Sequence, residues 1–224
     1  MTNKNTLIIA PHPDDEVLGC GGFIKKLTLG SIPVTVLIMT RGKRGKYSDE
    51  KIERVREEAL NAHKILGVNR TIFLDFPAPD LDIISMAEIA ESIYKVIREL
   101  NAVTIFIPHK GDIHHDHKVI FNASMVAARP VGRHIVRQVF AYETLSETEW
   151  AIPLGDEYFV PNSYVDITDV FSYKLDAMKC YQSQLREFPN PRSLETISAL
   201  SQFRGSTVGL NRAEAFVAIR NIIY

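Results

Sequence analysis

The sequence predicts an α/β fold in which helices cover both faces of a mainly parallel sheet. Short apolar segments alternate with longer amphipathic segments through the first half of the chain. The short segments contain few polar residues, as expected for strands buried on both faces. The 224 residues, 46% of them apolar, can form one sizeable core. Together these features favour strand–helix–strand units, and we expect a single Rossmann-like domain over residues 1–224.

The first half contains four predicted strands and three predicted helices. The strands are TLIIA (Thr6–Ala10), PVTVLIMT (Pro33–Thr40), TIFLDF (71–76) and VTIFIP (Val103–Pro108). The helices are Cys20–Leu29, entered through a glycine-rich turn, residues 50–68 and residues 84–100. In the second of these helices apolar residues recur every three or four positions, and Gly67 is the expected C-cap.

The second half is less regular. RQVFAYET (137–144) indicates a strand, and YFVPNSYVDIT (158–168) is expected to contain another. Three helices are predicted, over 169–185 with Asp169 as its N-cap, over 193–205 and over 211–223. Because the chain shows no linker, repeat or low-complexity segment, we expect no second domain.

Composition excludes several partners. The net charge of −1 gives no electrostatic reason to bind nucleic acid or an anionic membrane. The basic segment RGKRGK (41–46) is either a solvated loop or a local binding patch. The N-terminal apolar run is too short for a signal peptide, and no segment is long enough to span a membrane. The two cysteines lie far apart in sequence, which favours reduced thiols and a cytoplasmic protein.

Two clusters of ionisable residues follow predicted strands. PHPDDE (11–16) comes after the first strand, and PHKGDIHHDH (108–117) comes after the strand VTIFI. Ligands of open α/β sheets bind beyond the carboxyl ends of the strands. A dication would convert the repulsion between Asp14 and Asp15 into shared attraction, and catalytic zinc commonly takes three His or carboxylate ligands. Alone, PHPDDE also fits a capped turn that leads into a helix, and HHDH also fits a polar surface turn or an adventitious metal site.

The motifs PHPDDE, LGCGG and GDIHHDH resemble those of the PIG-L (LmbE-like) zinc-dependent de-N-acetylase family. TRG, ILGV and the later RG…G…AEAF resemble its bacterial branch, which includes the deacetylases of the bacillithiol and mycothiol pathways. One departure is His115, which stands where the family usually has proline. We expect His115 to occupy a variable position and not to bind the metal.

The resemblance implies a role for each ionisable residue of the two motifs. The implied ligands of one divalent ion, with zinc expected, are His12, Asp15 and His117. Asp14 would be the general base. His114 would stabilise the oxyanion or protonate the leaving amine, and Asp116 would orient and charge His114. A site of two histidines and one aspartate also accepts iron, cobalt or manganese.

Five further residues are candidates for substrate contacts: Arg41, Arg54, Asp80, Asp112 and Arg204. Arg41 would bind a carboxylate or phosphate, Asp80 a sugar hydroxyl, and Arg204 would close the pocket. Asp112 fits a turn equally well. Arg56 on the same helix could reach the pocket as Arg54 could, but both arginines also fit ion pairs with Glu57 or Glu58. His63 and His134 are expected to be structural, and the role of His109 is left open.

The resulting prediction is a metal-dependent hydrolase that removes acetate from an N-acetylated amino sugar, an N-acetylglucosamine-type conjugate. One alternative is an amide hydrolase acting on a non-sugar substrate. Another is a non-catalytic metal- or nucleotide-binding module, which would need neither Asp14 as a base nor His114 as an acid. The expected partner is therefore a small molecule, and the resemblance implies a homo-oligomer, a trimer or a hexamer.

Overall fold

The computed structural model describes residues 5–43, 45–132 and 134–223, and seven strands in them form one sheet. The strands are β1 (Thr6–Ala10), β2 (Val34–Gly42), β3 (Arg70–Ala78), β4 (Thr104–Pro108), β5 (Gln138–Tyr142), β6 (Ser163–Asp166) and β7 (Ala213–Asn221). Their order in the sheet is β3-β2-β1-β4-β5-β7-β6. The first five strands are parallel to one another, so the predicted mainly parallel sheet is confirmed.

Six α-helices accompany the sheet in the described residues: α1 (Asp15–Leu29), α2 (Asp49–Leu66), α3 (Met86–Leu100), α4 (His115–Ala127), α5 (Phe171–Cys180) and α6 (Leu194–Ser206). Successive strand residues point to opposite faces. Ile8 and Val36 therefore join a core with α1, α2, α5 and α6, whereas Leu7 and Leu37 join a core with α3 and α4. The prediction of helices on both faces is confirmed. No described helix is both long and apolar enough to cross a membrane.

The glycine-rich segment after β1 is not a turn. Helix α1 begins at Asp15 and runs through Gly19, Gly21 and Gly22, so the prediction of a helix starting at Cys20 is wrong at its beginning. A Cβ atom at Gly19 would lie 2.3 Å from Cδ2 of Tyr142. These glycines are therefore explained by the close packing of α1 against its neighbours.

Residues 211–223 do not form the predicted helix. The segment forms β7, which pairs antiparallel with β5 on one side and with β6 on the other. Alanines in this segment favour a helix by intrinsic propensity. Tertiary packing overrides that preference, because the ring of Phe216 packs at 5.0 Å from Phe106 in the core.

Two helix starts also differ from the prediction. Helix α5 begins at Phe171 after a short 3-10 turn, and Asp169 makes no capping hydrogen bond. Instead, Asp166 Oδ1 accepts from the backbone N–H of Thr168 at 2.9 Å. Helix α4 begins inside the second histidine cluster, where the sequence predicted only a loop.

The fold brings the two ionisable clusters together. Strand β1 lies between β2 and β4. The chain adds β2 and β3 on one side of β1 and then crosses to the other side to add β4, so the strand order switches direction between β1 and β4. The loops that leave the carboxyl ends of these two strands carry PHPDDE and GDIHHDH. A ligand site at such a reversal is the expected position in an open α/β sheet.

Candidate active site

Three side chains from the two loops converge on one point. Asp15 Oδ2 lies 3.3 Å from Nδ1 of His12 and 3.2 Å from Nε2 of His117. Ligand atoms about 2.0–2.2 Å from a tetrahedrally coordinated ion lie about 3.3–3.6 Å apart, so this spacing fits a metal site. The buried atoms His117 Nε2 and Asp15 Oδ1 have no hydrogen-bond partner among the described residues. A cation at this point would satisfy donor atoms that the protein leaves unpaired.

Each histidine of this cluster is supported by its own carboxylate. His12 Nε2 lies 3.1 Å from Asp116 Oδ2, and His117 Nδ1 lies 2.8 Å from Asp112 Oδ2. Metal-binding histidines usually contact a carboxylate or carbonyl through their second nitrogen, which fixes the ring and its tautomer. The arrangement therefore matches both the ligands and the outer support of a metal site.

Asp112 is not placed to contact a substrate. It is fully buried, and its second oxygen accepts a hydrogen bond from Thr148 Oγ1 at 2.6 Å. The sequence-based expectation that Asp112 binds substrate is corrected by this geometry, which makes it the support of His117.

The protonation equilibria of the cluster reflect its buried acids. Burial lowers the pKa of His12, but hydrogen bonds to Asp116 and Asp15 outweigh it and raise that pKa to about 9. Burial likewise opposes the charge of His117, whose pKa is nevertheless raised well above its usual value by Asp15 and Asp112. Burial raises the pKa of Asp15, yet the two histidines hold it well below the usual range. The acids of the cluster thus favour positive charge at this point, which either protons or a metal ion would supply.

Asp14 lies beside the cluster in a strained backbone conformation. Its φ of 110° is in the left-handed region that aspartate rarely adopts. Its backbone N–H donates to Glu16 Oε2 at 3.1 Å, and its Oδ2 accepts from Arg192 Nη1 at 2.8 Å. Burial raises the pKa of Asp14 to about 7, against the opposing charge of Arg192. A carboxylate with such a pKa can act as a base near neutral pH.

His114 caps helix α4 through its ring. Nδ1 accepts from the backbone N–H of Asp116 at 3.1 Å, so the neutral ring carries its proton on Nε2. Burial, together with the charges of His12 and His117, lowers the pKa of His114 to about 4. The expectation that Asp116 orients and charges this ring is corrected, because the carboxylate of Asp116 contacts His12 and the backbone N–H of Leu81 at 3.2 Å. His114 is therefore a neutral hydrogen-bond donor.

A second group of side chains shares His12. His12, His114 and Asp116 also present ligand atoms within 4.8 Å of one another. His115 belongs to neither group and is exposed.

The family is shown by comparison with known proteins. A family model described as PIG-L, GlcNAc-PI de-N-acetylase, matches residues 7–128, which is more than half of the chain. This chain belongs to the PIG-L family. The resemblance inferred from the two motifs is confirmed.

Relatives of this PIG-L protein cover most of its length. It is 34% identical over 185 residues to the uncharacterized deacetylase YaiS of Escherichia coli K12, covering 80% of this chain and 91% of that one. It is 31% identical to the diacetylchitobiose deacetylase of Thermococcus kodakarensis, covering 82% and 71%. It is 29% identical to a probable N-acetyl-alpha-D-glucosaminyl L-malate deacetylase 2 of Bacillus cereus, covering 81% and 84%. Among solved structures, the conserved protein TT1542 of Thermus thermophilus has a TM-score of 0.78 and 26% identity, covering 98% and 96%.

A cavity of about 370 Å³ opens onto the PIG-L motifs. His12, Asp14 and His114 line it, and so does Arg41, which makes Arg41 the one predicted substrate contact on its wall. The geometry does not bring the other candidates there. Arg54 is exposed outside the cavity, and Asp80 pairs with Lys43. Arg204 donates to Glu143 at 2.8 and 2.6 Å and does not line this cavity.

Several residues of the site carry no motif signal. Arg192 and Glu147 line the cavity, and Arg192 Nη2 lies 3.5 Å from Glu147 Oε1. Arg56, two positions from Arg54 on α2, lines the cavity in its place. The sequence had allowed Arg56, like Arg54, to reach the pocket from this helix, and the 3.6-residue period places positions 52, 55 and 56 on the same helix face.

The remaining histidines have structural contacts. His63 Nε2 lies 3.2 Å from Glu16 Oε1, and its Nδ1 lies 2.7 Å from Thr71 Oγ1. His134 contacts the carbonyl of Ala102 at 2.7 Å, and His109 contacts the carbonyl of Glu157 at 2.9 Å. These contacts agree with the structural role expected for His63 and His134, and they assign one to His109.

Proposed function

We propose that this protein is a metal-dependent N-deacetylase that hydrolyses the acetamide of an N-acetylglucosamine-type group on a small conjugate. The observation that carries this proposal is the unpaired metal-ligand atoms of Asp15 and His117 next to the ionisable Asp14. Relatives named diacetylchitobiose deacetylase and N-acetyl-alpha-D-glucosaminyl L-malate deacetylase support an N-acetylated sugar substrate.

The proposed ligands of the metal are His12, Asp15 and His117, and zinc is the proposed ion. Bound there, the ion would supply a Lewis acid that lowers the pKa of water and polarises the acetamide carbonyl. Asp116 and Asp112 hold the two histidine rings in position for that binding.

Asp14 is proposed as the general base. Its carboxylate lines the cavity beside His12, and its pKa of about 7 allows it to accept a proton from water at neutral pH. The same group, once protonated, can return that proton to the departing amine. Proton transfer by a positioned side chain contributes typically ~10²–10⁴-fold to the rate.

His114 is proposed to stabilise the developing negative charge on the acetamide oxygen. Since Nδ1 of His114 accepts a hydrogen bond from the backbone N–H of Asp116, the neutral ring carries its proton on Nε2. This Nε2–H is the group that would donate to the acetamide oxygen. A fixed neutral donor at the reacting oxygen is typically worth about 10²–10³-fold in kcat. The low pKa of His114 favours this role over that of a charged acid.

Comparing the two adjacent aspartates tests the proposal. The wild-type protein should release acetate from N-acetylglucosamine conjugates and should contain one divalent ion per chain by elemental analysis. Asp15→Asn should lose metal affinity and regain activity with excess metal. Asp14→Asn should keep the metal while kcat falls by roughly 10²-fold or more, with no rescue by metal.

Three results would contradict the proposal. They are equal loss of metal in both variants, near-normal kcat in Asp14→Asn, and acetate release by the metal-free protein. A metal-bound protein that releases no acetate from any N-acetylated sugar or non-sugar amide would instead favour a non-catalytic module.

The cytoplasmic location, the trimeric or hexameric assembly and the extension of the domain over residues 1–224 remain predictions.

A further inference from the structure

We propose that the cavity contains a cationic subsite, formed by Arg41, Lys51 and Arg186, that binds a carboxylate or phosphate on the aglycone of the substrate. This inference rests on the proposed function, because it assigns the part of the substrate that lies beyond the reacting acetamide. The cavity volume of about 370 Å³ lies within the roughly 300–1,000 Å³ range of small-molecule sites.

The cavity wall carries more positive than negative charge. Its carboxylates are Asp14 and Glu147, and both face Arg192, at 2.8 and 3.5 Å. Arg192 thus pairs with both carboxylates of the cavity wall. Arg56 also lines the cavity, but its guanidinium pairs with Asp75 and lies 4.9 Å from the centre of the Phe73 ring. Arg192 is therefore paired with both carboxylates, and Arg56 is paired with one, although Arg56 Nε has no hydrogen-bond partner among the described residues.

Arg41, Lys51 and Arg186 are less well compensated. Arg41 Nη2 lies 3.4 Å from Glu53 and 3.6 Å from Asp49, and the side chains of those acids are 59% and 62% exposed. Pairs of this length with exposed acids are weak because water and salt screen them. Arg41 Nε is buried and has no hydrogen-bond partner among the described residues.

The other two cations have no carboxylate partner in the part of the chain that the structure describes. Lys51 Nζ lies 4.8 Å from the centre of the Tyr47 ring. Arg186 Nη1 donates to the carbonyls of Ser183 and Leu185, at 3.1 and 2.7 Å. Neither group is therefore paired with a carboxylate of the described residues at the cavity wall.

The position of the cations indicates which part of the substrate they bind. His12, Asp14 and His114, on the loops after β1 and β4, fix the place of the acetamide. Arg41 lies next to the last residue of β2, Lys51 lies in the first turn of α2 and Arg186 follows α5, so the cations come from other elements. The Arg41 side chain is 21% exposed, so an anionic aglycone would give its guanidinium a charged acceptor, and such charge-assisted hydrogen bonds are roughly twice as strong as neutral ones.

Matched glycosides test the subsite. The wild-type holoenzyme is assayed with phenyl N-acetylglucosaminide and with its 4-carboxyphenyl and 4-phosphophenyl analogues. We expect kcat/KM to be about tenfold higher or more for an anionic glycoside, and this preference should shrink as salt is added. The two anionic analogues distinguish carboxylate from phosphate. Equal kcat/KM for all three glycosides would overturn the proposal.

Variants assign the preference to particular residues. Lys51→Gln/Arg186→Gln, which changes two exposed side chains, and Arg41→Gln should each bring the ratio of anionic to neutral kcat/KM toward one. Arg54→Gln is the matched control, because Arg54 is exposed on the same helix as Lys51 but does not line the cavity, and it should keep the wild-type ratio. An unchanged ratio in both cavity variants would contradict the assignment.

Calorimetric binding of the glycosides to Asp14→Asn separates this inference from the proposed function. If no glycoside is deacetylated by the wild-type enzyme, the proposed function fails, and the ratio of Kd values still decides the subsite. Tighter binding of the anionic glycosides supports the subsite, and equal binding refutes it.

Discussion

Arg192 Nη1 donates a hydrogen bond to Asp14 Oδ2 at 2.8 Å, although the two residues are 178 positions apart in the chain. Burial raises the pKa of Asp14, and the guanidinium opposes that rise. The pair therefore sets the pH at which the proposed base becomes ionised. Arg192, from the irregular second half of the chain, thus influences the pKa of a residue in the PHPDDE motif.

Replacing Arg192 should move the acid limb of the pH–rate profile. As the proposed base, Asp14 can act only when ionised, so activity should fall as pH drops through its pKa. Arg192→Gln removes a positive charge that favours the ionised form, the pKa of Asp14 rises, and the acid limb moves to higher pH. A rise of one pH unit in this pKa lowers kcat/KM on that limb about tenfold.

The measurement is kcat/KM against pH for the wild-type enzyme, Arg192→Gln and Arg192→Lys, all loaded with the same metal. Arg192→Lys keeps the charge and should hold the limb nearer its original position. Since a bound cation also lowers the pKa of Asp14, the difference between proteins is the quantity to compare. An acid limb that stays in place in Arg192→Gln would exclude this role.

Asp112→Asn should weaken metal binding. The substitution removes the charge that contacts His117 Nδ1, and loss of such a supporting carboxylate typically costs 10–100-fold in metal affinity. Zinc affinity is measured by competition with a chelator, with Asp80→Asn as the control, because Asp80 pairs with Lys43 and belongs to neither metal group. A raised KM with unchanged zinc affinity would restore Asp112 as a substrate contact.

The first part of the site was predictable because its chemistry is local. His12, Asp14 and Asp15 directly follow a buried strand, and the strand and these three residues fall within ten residues of sequence. Parallel strands end at the same sheet edge, so the sequence alone predicted that His114 and His117 lie close to the first motif. Local sequence thus predicted the arrangement of both loops.

Long-range contacts account for what the sequence did not predict. Arg192 reaches Asp14 from a loop with no periodic pattern, and Asp116 turns to His12 on the other loop and not to its neighbour His114. Strand β7 was mistaken for a helix because pairing with β5 and β6 outweighs the helix propensity of alanine. In each case the deciding partner lies far away in sequence.

We predict that Glu16 positions Asp14. Glu16 is fully buried, and its carboxylate accepts hydrogen bonds from the Asp14 backbone N–H and from Tyr181 Oη. The same carboxylate lies 3.2 Å from His63 Nε2. These contacts hold Asp14 at its unfavourable φ of 110°. Glu16→Ala should therefore lower kcat by about 10-fold or more through displacement of the base.

Three readouts separate this role from simple destabilisation. In Glu16→Ala the bound metal and KM should stay near wild type while kcat falls, and Glu16→Gln, which keeps an acceptor for the Asp14 N–H, should recover part of the loss. Tyr181→Phe should have a smaller effect than Glu16→Ala. Parallel loss of metal and of kcat in Glu16→Ala would instead indicate general damage to the loop.

The buried ion pair of Lys174 and Glu214 should stabilise the fold beneath the site. Lys174 Nζ lies 2.6 Å from Glu214 Oε1 and donates to the carbonyl of Leu18 at 2.7 Å. Glu214 accepts from the N–H groups of Gly22 and Phe23, at 2.8 and 2.7 Å. The pair thereby links α5 and β7 to the middle of α1, the helix that begins with Asp15.

Removing one charge of this pair leaves the other buried and uncompensated. Lys174→Met should therefore lower the free energy of unfolding by roughly 3–5 kcal/mol. Lys179→Met is the control, because Lys179 pairs with Asp176 on the same helix at 2.8 Å but both side chains are more than half exposed, and it should cost less than about 1 kcal/mol. The double variant Lys174→Met/Glu214→Gln should be more stable than Lys174→Met. Urea unfolding of the four proteins measures these differences, and equal losses for Lys174→Met and Lys179→Met would show that the buried pair contributes no more than a surface one.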